Sequence, residues 1–60
     1  MKIEIEVDQD VNRADKIFLI ETAIEKISSS IRQEQHLWNQ KTGWLELEGN
    51  VRGNWIIKGL

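Results

Sequence analysis

Isoleucine recurs at positions 17, 20, 24, 27 and 31, in alternating steps of three and four. At about 100° per residue these side chains line one stripe of a helix, with Ala23 and Trp38 on or near it. The spacing predicts a helix over about residues 11–37. Five positions are too few heptads for a dedicated coiled coil, and Glu34 takes the next seam position. A sheet is therefore the expected partner of the stripe. Phe18, Leu19 and Leu37 lie off it, Phe18 almost opposite its centre, so a helix covered on one side would leave all three exposed.

Two other stretches supply that sheet. Residues 2–7, KIEIEV, alternate strictly, with Ile3, Ile5 and Val7 on one face and Lys2, Glu4 and Glu6 on the other. Such alternation of β-branched residues describes a half-buried strand. Helix-stop residues follow the helix in NQKTG, where Gly43 can take positive φ. The segment KTGWLELEGNVRGNWIIKG then reads as a hairpin with strands at 44–48 and 54–58. A two-residue turn at Gly49-Asn50 would mix apolar and polar residues on both faces. An odd-length loop centred on Val51 instead pairs Leu47 with Trp55 and Leu45 with Ile57. One apolar face then continues beside Ile3, Ile5 and Val7. Gly49 and Gly53 flank that loop as the expected positive-φ positions. Trp55 is expected in the core, and Trp44 and Ile56 on the opposite face beside Glu46 and Lys58. The predicted fold is a single α+β domain spanning residues 1–60, β-α-β-β, with a three-stranded sheet and one long helix across one face.

Composition narrows the function. Sixty residues bury a marginal core, and small folds recover stability through disulfides, metals or association. The sequence has no cysteine and one histidine, His36, so no disulfide, cofactor or metal site is expected, and self-association is. Asp8, Asp10 and Asn12 match the opening of an EF-hand loop. Arg13 and Leu19 replace its glycine and its closing glutamate, so capping of the helix is the expected role. Ser28, Ser29 and Ser30 lie too far from His36 on one helix to form a nucleophile–base pair. Glu4, Glu6, Glu46 and Glu48 have no cleft or apolar wall for acid–base work. A non-enzymatic protein is expected. With no secretory leader read at the N-terminus and no apolar run of membrane-spanning length, the expected location is the cytoplasm.

The leading expectation is a small interaction module, acting as a homo-oligomer or a regulatory or accessory subunit. Its contact surface would draw on Trp44, Ile56, Phe18, Leu19, Leu37 and Trp38. The alternative is a nucleic-acid-binding regulator using Arg52, Asn54 and Lys58 near the hairpin. Eight Lys and Arg against ten Asp and Glu, with four glutamates expected on the same face, weigh against a phosphate backbone.

Overall fold

A computed structural model describes residues 1–33 and 40–59. Strand β1 (Lys2–Val7), helix α1 (Arg13–Gln33), strand β2 (Gln40–Leu47) and strand β3 (Asn50–Lys58) follow in that order. The three strands form one sheet in the order β1-β3-β2. Both outer strands run antiparallel to β3, so β1 and β2 are parallel to each other, an arrangement that needs a long crossover such as α1.

The helix begins at Arg13, two residues later than the sequence suggests, because Asn12 caps it. Asn12 Oδ1 accepts the Asp15 N–H at 2.9 Å, and Asn12 Nδ2 donates to Asp15 Oδ2 at 2.9 Å. The sequence-derived end at residue 37 lies outside the described residues.

The buried row of the helix differs from the isoleucine stripe. Leu19, Ala23 and Ile27 are buried, with Ile31 partly covered. Ile17, Ile20 and Ile24 are exposed, Ile24 by 54%. The inward residues are spaced by four throughout, and Ile27 and Ile31 belong to both rows. The helix thus lays one i±4 ridge on the sheet, and the small Ala23 lets it approach closely. Leu19 is fully buried, with 0% exposure. It belongs to the core and not to a contact surface.

Beneath the helix, Val11, Leu45, Trp55 and Ile57 complete the buried cluster, flanked by Ile5, Val7 and Leu47. Trp55 is 4% exposed and Trp44 66% exposed, so the two faces of the hairpin are occupied as the alternation suggests. The route to that arrangement is different. The turn is Glu48-Gly49, closing on the pair Leu47/Asn50, with φ of 53° and 81° at the two turn residues. Positive φ at both positions is the type I′ geometry that matches strand twist. Unbroken, this register would set Leu45 opposite Arg52 and invert the face. A β-bulge between Leu45 and Glu46 absorbs Arg52, so Leu45 pairs with Gly53, Trp44 with Asn54 and Gly43 with Trp55. The expected pairs Leu47/Trp55 and Leu45/Ile57 are therefore not formed, although all four residues share the inner face. Gly53 is not a positive-φ turn residue. It lies in β3, where an added Cβ would run into the Glu6 carbonyl.

Residues 40–43 of the stretch expected to end the helix belong to β2, which starts at Gln40. Gly43 is not a helix cap, and positive φ among the described glycines is confined to Gly49 and Gly59.

Glu48 holds a left-handed conformation that non-glycine residues other than Asn and Asp rarely take. Glu48→Asn should raise stability by about 0.5–1 kcal/mol, measured as a shift of the urea midpoint at unchanged slope.

Candidate functional site

Alternation places Lys2, Glu4 and Glu6 of β1, Asn54, Ile56 and Lys58 of β3, and Gln40, Thr42, Trp44 and Glu46 of β2 on the face turned away from the helix. Three cross-strand rows run over it: Glu6–Asn54–Trp44, Glu4–Ile56–Thr42 and Lys2–Lys58–Gln40. Ile56, half-buried, occupies the middle of this face, and Trp44 stands on its β2 side. A shallow depression of about 330 Å³ lies beside them, lined by Glu4, Ile5, Glu6, Asn54 and Ile56. It is open to water and presents two carboxylates and an amide, with no hydroxyl, thiol or imidazole among these lining residues.

The cations named for nucleic-acid binding already have acidic neighbours. Arg52 reaches back to the loop between β1 and α1. Its Nη2 donates to Asp10 Oδ1 at 2.8 Å, and its Nε lies 3.7 Å from Asp8 Oδ2. The Asp8 N–H also donates to the Arg52 carbonyl at 2.9 Å, so the bulge residue ties the hairpin to the start of the helix. Lys58 Nζ lies 3.5 Å from Glu4 Oε1. Asn54 lies between Glu6 and Trp44. These three residues do not converge on one basic patch. Asp8, Asp10 and Asn12 likewise divide between the Arg52 ion pairs and the helix cap, and no cluster suited to a metal ion occurs among the described residues.

A second apolar surface lies on the helix. Ile17, Phe18, Ile20 and Ile24 are all at least 40% exposed. Phe18 was named from the sequence. The isoleucine periodicity points Ile17, Ile20 and Ile24 at the sheet, so it does not mark them as surface residues. The signal that could have separated the rows is the even four-residue spacing of Leu19, Ala23, Ile27 and Ile31, with a small residue where helix and sheet come closest. Leu37 and Trp38, also named from the sequence, lie outside the described residues, as does His36. The named residues therefore fall in two places, Trp44 and Ile56 on the sheet and Phe18 on the helix, with Leu19 beneath the helix.

No helix among the described residues is long and apolar enough to cross a membrane. No protein-family model matches the chain, nor does any curated protein or solved structure.

Proposed function

We propose that the chain is a small non-enzymatic interaction module that works as a homo-oligomer or as a regulatory or accessory subunit. The observation that carries this reading is the imbalance between buried and exposed apolar side chains. Seven hydrophobic residues are buried among those described, while Ile17, Phe18, Ile24 and Trp44 are each more than half exposed. Full burial of such a side chain gains roughly 1.5–3 kcal/mol. Covering a few of them would rival the whole stability of a domain this size. The cytoplasm suits a chain with no cysteine to oxidise.

Nucleic-acid binding is the weaker reading. Arg52 and Lys58 sit against carboxylates, and Glu4, Glu6 and Glu46 share the sheet face with Lys58, so a polyanion would meet repulsion there. Sedimentation equilibrium at micromolar concentration, repeated in high salt, tests the proposal. We expect a mass that is a multiple of 7.0 kDa and insensitive to salt, because apolar burial is not screened. A folded chain that stays monomeric and is retained on a polyanion column would reverse the two readings.

A further inference from the structure

The edges of the sheet carry the proposal one step further. Both β1 and β2 are outer strands, and among the described residues no strand pairs with the far side of either. A two-residue turn closes on a hydrogen-bonded pair, here Leu47 and Asn50. Counting back along β2, the N–H and C=O groups of Leu45, Gly43 and Lys41 face β3. Those of Glu46, Trp44 and Thr42 face outward. Trp44 thus combines an outward-facing backbone with the most exposed large hydrophobic side chain on β2, 66% accessible.

We infer that β2 pairs antiparallel with β2 of a second copy across a two-fold axis at Trp44, joining two three-stranded sheets into one of six strands. This rests on the homo-oligomer reading above and specifies its interface. An axis normal to the sheet keeps both helices on the same side, so only registers that pair residues of equal parity are allowed. Centring on Trp44 sets the two Trp44 backbones opposite one another and places Thr42 of each copy opposite Glu46 of the other. Gly43 then falls opposite Leu45, and Lys41 opposite Leu47. Every outward amide from Thr42 to Glu46 gains a partner, the two indoles meet on the outer face, and no like charges oppose.

Four other registers do worse. Centring on Glu46 puts the two Glu46 carboxylates face to face, and centring on Thr42 shortens the overlap. Self-pairing of β1 about Ile5 sets Glu4 against Glu6, and about Glu4 it sets the two Glu4 side chains together. Like charges directly opposite are destabilising. The helix supports the same choice. In the right-handed crossover that parallel strands adopt almost without exception, the Ile20/Ile24 flank turns toward β2. One dyad then brings the two flanks toward each other above the new seam.

Two substitutions test the register without touching the core. Thr42→Pro removes an outward N–H that no ladder bond among the described residues uses, a position where an edge strand tolerates proline. Trp44→Lys places two cations on the axis. Each should leave the circular dichroism of the folded chain unchanged and raise the dimer dissociation constant roughly a hundredfold or more, since every loss is counted twice on the dyad. If Thr42→Pro fails to fold, Trp44→Lys decides alone. A native dimer that both folded variants preserve would overturn the β2 interface and leave the homo-oligomer standing. A native chain that is monomeric at millimolar concentration would remove both.

Discussion

Replacing Trp55 with alanine should leave the chain largely unfolded at room temperature. Removal of a buried tryptophan costs about 3–5 kcal/mol, and a domain of 60 residues has a total stability on the order of 3–9 kcal/mol. Trp55 lies between Ile5 on β1 and Gly43 on β2, so its indole is shared by the whole width of the sheet. Its Nε1–H is buried with no acceptor among the described residues, so the contacts that hold the ring there are packing contacts. The packing has a specific requirement. A Cβ built on Gly43 would stand about 2.5 Å from the indole carbons, so the ring lies across the glycine backbone. Gly43→Ala should therefore cost about 1–3 kcal/mol by overpacking. Thermal melts followed by far-ultraviolet circular dichroism would read both losses. A Trp55→Ala variant that melts cooperatively near the native temperature would show that the ring is not the centre of the core.

Leu19→Ala should cost about 2–5 kcal/mol, as for a buried leucine. Ile24→Ala, five residues further along and more than half exposed, should cost under about 1 kcal/mol in the monomer. The contrast identifies the face of the helix that meets the sheet. Urea titrations at a concentration where the chain is monomeric give both numbers with one slope. Equal losses at the two positions would mean that the isoleucine stripe faces the sheet after all. Self-association adds a second signature. If the Ile20/Ile24 flank lies at the dimer seam, the cost of Ile24→Ala should grow with protein concentration, because mass action couples assembly to stability.

Much of the fold is legible in the sequence. The alternation of Lys2–Val7 marks a half-buried strand, and in the structure Ile5 and Val7 are partly covered while Ile3 is exposed. The mixture of leucine, tryptophan and isoleucine after residue 43 divides Trp55 from Trp44 once a single apolar face is required. What local pattern cannot reveal is how the chain achieves that division. A loop of odd length and a two-residue turn with a bulge produce the same faces, and only the backbone at Glu48 and Arg52 distinguishes them. The helix fails for a related reason. Ile17, Ile20 and Ile24 and the row Leu19, Ala23 and Ile27 sit on adjoining sides of one cylinder. Hydrophobicity alone favours the isoleucines, whereas close approach to a sheet favours the row with alanine at its middle. Of the residues that the sequence offers for the proposed contact surface, Trp44 and Phe18 are exposed and Ile56 is half-buried, while Leu19 is buried. The sequence offers Arg52 to phosphate only in the alternative reading, and its partners Asp8 and Asp10 stay hidden there because they are remote in sequence and met only through the bulge.

The most direct measurement of the interface is nuclear magnetic resonance on a dimer of one isotopically labelled and one unlabelled chain, filtered for contacts between the two. The expected result is a close Hα–Hα contact between Gly43 of one copy and Leu45 of the other, with amide contacts linking Thr42 to Glu46 about the Trp44 axis. A stable dimer whose only contacts between copies come from Phe18 and Ile17 would contradict pairing through β2.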